Sequence, residues 1–123
     1  MKIYTASFFE PENWRGEIFS IARRMPTGVG AKRLPIFAPP ARLLRRYKKR
    51  LIDEDEYAEE YLISLETKIG HFPIFAITNI FKDMPKEVTL LCRERAGEFC
   101  HRNILADFLK SIGFEIYKDT ERK

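Results

Sequence analysis

The last third of the chain changes its hydrophobic period twice, and this alternation limits the folds that the chain can adopt. The run EVTLLC, residues 87–92, is apolar and of strand length, and FEIYK, residues 114–118, has a similar composition. Between them, five apolar residues recur at helical spacing: Ile104, Leu105, Phe108, Leu109 and Ile112. A strand, a helix and a strand in this order usually form a right-handed parallel crossover. We therefore predict an α/β fold, a small mostly parallel sheet with helices on its faces.

Two more strands are predicted nearer the N-terminus. Residues 2–9 and 17–25 are rich in β-branched and aromatic side chains, and each run ends near a proline. Residues 27–40 hold three prolines and two glycines, so we predict an ordered but irregular loop there, which could serve as a lid. The polar tail, residues 119–123, is predicted to fray.

Three helices are predicted in the middle of the chain. The apolar residues of segment 41–51 lie on one helical face. A longer apolar stripe follows Asp53, a suitable N-cap, and ends at Gly70, a suitable stop. Residues 72–81 combine β-branched residues with helical spacing, and we interpret them as a buried helix.

Length and cysteine content set the protein class. We expect residues 1–123 to form a single domain, because 123 residues are enough for one hydrophobic core. Two cysteines are too few for a disulfide framework, and the N-terminus does not resemble a signal peptide, so we predict a cytoplasmic protein. No apolar run has the length of a membrane helix, and we predict no membrane association. A net charge of +4 favours anionic partners.

The stretch LLCRERAGEFCHRNIL, residues 90–105, is the first candidate site. It joins a strand end to a helix start, and ligands of parallel sheets bind at such strand ends. A helix N-terminus offers free N–H groups to an anion, and Arg102 adds a bidentate donor that a helix start otherwise disfavours. We predict an anion site built on Arg102, the N–H groups near Cys100, and Glu94. Alternatively, Arg102 pairs with Glu94 or Glu98 and has a structural role.

The same stretch suggests a thiol enzyme as a rival. Cys100 at a helix start beside Arg102 has the electropositive surroundings of reactive cysteines, with His101 or Glu94 to handle protons. The alternative is a small buried hydrophobic residue, which is also our interpretation of Cys92.

Metal binding is not predicted from the spacing. Cys92, Cys100, His101 and His71 are possible zinc ligands, but the cysteines lack the close pairing of zinc knuckles. Adjacent residues of a helix point about 100° apart, which separates Cys100 from His101. We therefore predict neither a metal nor another cofactor.

The segment RLLRRYKKR, residues 42–50, is the strongest charge feature. Four of its residues are candidates for contacts with a nucleic-acid backbone: Arg42, Arg45, Arg46 and Lys49. The acidic run that follows offers a structural alternative, because basic helix ends and acidic helix starts both complement helix dipoles. Arg23 and Arg24, at the end of the second predicted strand, are candidates for a further anion contact, since one of the two should point inward.

The segment VTLLCRERAGEFCHRNILADFLKSIGFEI resembles the domain-of-unknown-function 488 family. Members share a strand ending in LLC, an acidic residue just after it, and a CHR sequence followed by an amphipathic helix. The YTASFF opening and the DEDEYAEEYLISL helix follow the same order of elements, whereas Arg93 stands where many relatives have an aromatic residue. The resemblance implies an α/β fold and a site at Glu94, Cys100, His101 and Arg102, without a particular reaction.

Three functions remain open on these observations. The leading hypothesis is a domain that binds a phosphorylated ligand or a nucleic acid at the residues around 92–102. The second is a thiol-dependent enzyme with Cys100 as nucleophile. The third is an interaction module whose basic helix contacts an acidic partner.

Overall fold

The protein folds around one five-stranded parallel sheet, and the computed structural model describes residues 1–119. The strand order is β3-β2-β4-β1-β5, and all four pairings are parallel. The strands are β1 (Lys2–Ser7), β2 (Glu17–Ser20), β3 (Lys32–Arg33), β4 (Glu87–Cys92) and β5 (Ile116–Tyr117). The predicted α/β class with a mostly parallel sheet is therefore confirmed.

Four α-helices accompany the sheet within the described residues, and all four lie in segments predicted to be helical. They are α1 (Ala41–Lys48), α2 (Glu54–Ile69), α3 (Pro73–Phe81) and α4 (His101–Ser111). At the start of α2, the Asp53 carboxylate accepts a hydrogen bond from the Glu56 backbone N–H at 2.8 Å. At its end, Gly70 adopts a φ of 86°, which favours glycine. Short 3-10 turns cover Pro11–Asn13 and Pro35–Phe37.

The two faces of the sheet are covered differently. Alternate strand residues such as Ile3, Val88 and Leu90 join the main core, to which all four helices contribute buried side chains. The opposite face has a smaller core around Ala6 and Leu91, and none of the described residues buried in it belongs to an α-helix. The helices therefore pack on one face, and irregular segments cover the other.

Several local predictions differ from the structure. The second strand ends at Ser20, so Arg23 and Arg24 lie beyond it, and the argument from strand alternation does not apply to them. The predicted irregular loop contains β3, whose two residues are exposed. Helix α3 is not buried as predicted, because Phe72 and Phe75 at its start are each 76% exposed.

Asp119 contradicts the prediction of a fraying tail. This residue is buried, and its backbone N–H donates to the Thr5 hydroxyl at 3.3 Å. The rest of that predicted segment, residues 120–123, lies outside the described residues.

Candidate functional site

A cavity of about 330 Å³ opens at the carboxyl ends of β2 and β4. Its walls come from the segment after β2, from one side of α1, from the segment after β4, and from His101 at the start of α4. The predicted irregular loop also contributes, through Pro39. A volume of this size suits a small ligand.

The sheet topology explains why the cavity opens at this place. Strands β2 and β4 are neighbours, but the chain leaves β2 towards β3 on one side and leaves β4 towards β5 on the other. Connections that depart in opposite directions leave a crevice between two adjacent strand ends, where ligands of open parallel sheets bind. The position predicted for the site is thus a consequence of the strand order.

Five exposed cations line the cavity. Arg23 and Arg24 follow β2, Arg45 and Lys48 lie on α1, and Arg93 follows β4. Within the described part of the chain, none of these five forms a salt bridge with a carboxylate. Among residues 1–119, Glu94 is the one carboxylate that lines the cavity. The cavity therefore carries an excess of positive charge, which attracts anions.

Cys92, Cys100 and His101 converge beneath these cations. One potential ligand atom from each residue lies within 4.8 Å of the other two. The two sulfurs are at bonding distance, 2.12 Å, and the Cα atoms are 7.7 Å apart. Neither cysteine is a free thiol in this structure, so the predicted nucleophilic role of Cys100 requires the reduced form. Cys92 and His101 line the cavity, whereas Cys100 does not.

The convergence has a local backbone cause. The prediction that Cys100 and His101 point apart requires both residues to belong to a helix. Cys100 is instead the N-cap residue of α4, with φ −153° and ψ 146°. An extended residue does not follow the helical rotation of about 100° per residue. The Cys100 sulfur therefore lies 3.8 Å from Nδ1 of His101. The premise that these side chains point apart is wrong.

The protonation state of His101 follows from its contacts. Its Nε2 lies 2.8 Å from the Ile21 carbonyl oxygen, which can only accept, so Nε2 carries the proton. Burial is the largest effect on the pKa of His101 and lowers it to about 4. The hydrogen bond to the Ile21 carbonyl acts in the opposite direction, and the charge of Arg102 lowers the pKa by a smaller amount. The imidazole is thus neutral near pH 7, and Nδ1 presents a lone pair on the side of Cys100.

Arg102 lies under the site rather than in the cavity lining. Its side chain is fully buried, with Nη2 at 2.9 Å from Asp119 Oδ2 and Nη1 at 3.2 Å from Cys92 Sγ. The sequence predicts a direct anion contact for Arg102, with Glu94 or Glu98 as its alternative partner. The acid that pairs with Arg102 is instead Asp119, whose side chain is also buried.

Other predicted site residues divide between the cavity and the surface. Arg23, Arg24, Arg45, Glu94 and His101 line the cavity. The remaining members of the basic segment do not: Arg42 and Arg46 border a groove beside α2, where Arg46 pairs with Glu60 at 2.6 Å, and Lys49 is exposed at the end of α1.

Four residues near the site were not predicted to take part in it. They are Cys92, Lys48, Arg93 and Asp119. The position of Arg93 just after a strand end was the available signal for its place in the cavity. Asp119 offered no comparable signal, since it follows a short strand in a polar tail.

One family model matches the chain in comparisons with known proteins. Within residues 1–119, no helix is long and apolar enough to cross a membrane. No curated protein and no solved structure matches the chain. The family model described as "DUF488-N3a: Active DUF488-N3 subclade" matches residues 3–113, a span that contains β1 without its first residue, β2 to β4, helices α1 to α4 and the cavity. The chain belongs to the DUF488 family.

Proposed function

We propose that the protein binds a phosphate-bearing ligand in the cavity between the ends of β2 and β4. The observation that carries this proposal is the set of five cations that share one cavity and that pair with no carboxylate among residues 1–119. Like charges brought together at one opening repel one another, so their grouping costs free energy unless an anion binds among them. Arginine is well suited to phosphate because its guanidinium donates two parallel hydrogen bonds.

The size and position of the cavity limit the kinds of ligand that it can bind. A volume of about 330 Å³ is at the lower end of the range of small-molecule sites, roughly 300 to 1,000 Å³. A phosphorylated metabolite or the end of a nucleic-acid strand both supply the required phosphate. We favour the small ligand, because Arg42, Arg46 and Lys49 lie outside the cavity and do not extend its charge along α1.

Arg45 and Arg42 provide a matched pair for the test. Both are exposed on α1, but only Arg45 lines the cavity. Arg45→Ala should weaken binding of inorganic phosphate and of a nucleoside triphosphate by roughly ten- to hundredfold, the loss of one charge-assisted contact. Isothermal titration calorimetry at fixed ionic strength measures this change, and Arg42→Ala should leave the affinity close to that of the wild type.

A short single-stranded oligonucleotide separates the two ligand sources. If the strand lies along α1, Arg42→Ala and Arg45→Ala each reduce the salt dependence of its affinity, by about 0.7 in the log–log slope for one phosphate contact. If only a terminal phosphate enters the cavity, Arg45→Ala alone has this effect. Phosphate and nucleotide affinities that are unchanged in Arg45→Ala would refute the cavity as the binding site.

A thiol-dependent enzyme is the second candidate, and the contacts of Cys92 favour it. Cys92 is a lining residue of the cavity, and its buried sulfur lies 3.2 Å from Arg102 Nη1 and 3.3 Å from Glu94 Oε2. A guanidinium favours the thiolate form, which is the nucleophile. The reactive residue would then be Cys92 rather than Cys100, working in a reducing compartment such as the cytoplasm. The family model that matches the chain is described as an active subclade, without a named reaction or residue.

Alkylation of the reduced protein tests this candidate. Iodoacetamide should modify the Cys100→Ser variant, which retains Cys92, faster than a free thiol at neutral pH, and should modify Cys92→Ser at or below that rate. Equal, slow rates in the two variants would remove the support for a thiol enzyme. They would leave the phosphate proposal untouched, since it depends on the cations.

A further inference from the structure

The cysteine and histidine cluster beneath the cations has a composition that anion binding does not require. Two sulfurs and one imidazole nitrogen meet at the end of β4 and the start of α4, each from a buried residue. Thiolate and imidazole together are the ligands that zinc prefers. We propose that Cys92, Cys100 and His101, in the reduced protein, bind one zinc-type divalent cation.

The distances suit a single ion. Two Zn–S bonds of about 2.3 Å at a tetrahedral angle place their sulfurs about 3.8 Å apart, and a sulfur and an imidazole nitrogen lie about 3.5 Å apart. Cys100 Sγ and His101 Nδ1 are already 3.8 Å apart, and all three ligand atoms lie within 4.8 Å of one another. The two sulfurs must separate to about 3.8 Å, which reduction of the bond between them allows, and the remaining distances need small adjustments to fit one ion.

The hydrogen bond of His101 supports a ligand role. A histidine that binds a metal through one ring nitrogen almost always donates the N–H of its other ring nitrogen to a carbonyl or carboxylate. This hydrogen bond fixes the tautomer and the ring orientation. Nε2 of His101 has this partner in the Ile21 carbonyl oxygen at 2.8 Å, so the free lone pair is on Nδ1, the nitrogen nearer to Cys100. The imidazole is thus held in the form that a metal requires.

Arg102 and Asp119 supply the outer contacts. The Arg102 guanidinium lies 3.2 Å from Cys92 Sγ and is itself held by Asp119. A donor at this distance stabilises a thiolate, whether free or bound to a metal. Because Asp119 neutralises the guanidinium, the pair adds no net charge beneath a site of two thiolates and one divalent cation.

The separation of the cysteines favours a shared ion over a permanent disulfide. Their Cα atoms are 7.7 Å apart, beyond the span of about 4.4 to 6.8 Å in which disulfides usually occur. Two thiolates that bind the same ion can span this distance because the ion lies between them. A permanent disulfide is the competing outcome, and zinc binding by the reduced protein distinguishes the shared ion from it.

The fourth coordination position of the zinc ion would face the cavity. Glu94 Oε2 lies 3.3 Å from Cys92 Sγ, so this carboxylate or a water can complete the tetrahedron. Three protein ligands with a replaceable fourth are typical of catalytic rather than structural zinc sites. Occupancy by a metal does not depend on the phosphate proposal, because none of the five cations is a ligand.

The test uses tag-free, full-length protein prepared in a thiol-free reducing agent. After incubation with Zn²⁺ and gel filtration, mass spectrometry of the metal content should give one equivalent per chain. Co²⁺ in place of zinc should show thiolate charge-transfer absorption. Cys100→Ser should weaken Zn²⁺ binding, measured against a competing chelator, by more than the roughly 10- to 100-fold expected for loss of an outer partner. His71→Ala is the matched control and should bind as the wild type does, since His71 is exposed and outside the cluster.

X-ray absorption of the zinc-loaded wild type keeps the test valid if a variant fails to fold. Two sulfur neighbours at about 2.3 Å would support the site. Reduced protein that retains no zinc, or zinc without sulfur neighbours, would overturn the proposal. So would a disulfide that persists in excess reductant. In each of these cases, phosphate affinity in wild type and Arg45→Ala still decides the cavity proposal separately.

Discussion

The buried ion pair between Arg102 and Asp119 is predicted to be among the most sensitive points of the fold. Both side chains have no exposed surface, and within residues 1–119 the atoms Nε of Arg102 and Oδ1 of Asp119 have no hydrogen-bond partner. Removing one member of such a pair leaves a buried charge without its partner, which typically costs about 3 to 5 kcal/mol. Asp119→Ala should therefore lose a large part of a total stability of about 5 to 15 kcal/mol.

Urea denaturation measures this loss. For a chain of this size, unfolding is expected to be two-state, with a slope of about 2 kcal/mol per molar urea, so a loss of 3 kcal/mol lowers the midpoint by about 1.5 M. Asp107→Ala is a matched control. Asp107 pairs with Lys118 at 2.6 Å, but its side chain is 66% exposed, and an exposed pair contributes at most about 1 kcal/mol.

A double variant tests whether the cost comes from the unpaired charge. Arg102→Met combined with Asp119→Ala removes both charges, so it should be less destabilised than the sum of the two single variants. A cost below 1 kcal/mol for Asp119→Ala, or additive effects in the double variant, would refute the view that these residues form a buried pair.

Two further predictions concern the backbone. Gly16 has a φ of +65°, and a Cβ there would lie 2.0 Å from the Glu87 carbonyl oxygen. A Cβ at Gly113 would meet no described atom within 4 Å. Gly16→Ala should therefore destabilise the protein clearly more than Gly113→Ala. Equal urea midpoints for the two variants would contradict this. Asp53→Ala should cost about 0.5 to 2 kcal/mol by removing the acceptor for the Glu56 N–H, whereas Asp53→Asn should cost little; equal losses in thermal unfolding would argue against capping.

The elements that the sequence predicts well carry their determinants within a few residues. Helix α2 has a capping Asp53, an apolar stripe and a terminal Gly70, and it is found between those two residues. Strand β4 and helix α4 are likewise recognisable from period and composition. The prediction that a site lies at their junction depends on the same local signals, and the structure places a cavity there.

The features that the sequence does not predict depend on contacts between distant segments. Strand β3 has only two residues, and they are extended because Phe19 and Ser20 of β2 pair with them. Helical spacing identifies α3 but not which of its sides is covered, so the exposure of Phe72 and Phe75 was not predictable.

A shift of one residue at a helix boundary had the largest effect on the interpretation of the site. Cys100 caps α4 instead of belonging to it, and its extended conformation brings its sulfur towards His101. Helix ends are the least certain part of a sequence-based assignment, commonly by one or two residues. Here the boundary decides whether the Cys100 side chain points away from His101 or lies beside it, at 3.8 Å from Nδ1.

The position of Asp119 follows from the topology of the sheet. Strand β5 is parallel to β1, and β1 is parallel to β4, so all three carboxyl ends lie at the same edge. Asp119 comes two residues after β5 and therefore returns to the edge where Cys92 ends β4. Arg102, in the first turn of α4, is also at that edge, and the acid meets the guanidinium at 2.9 Å. A parallel crossover thus brings the last described residue of the chain beneath the cavity, which no local pattern around Asp119 reveals.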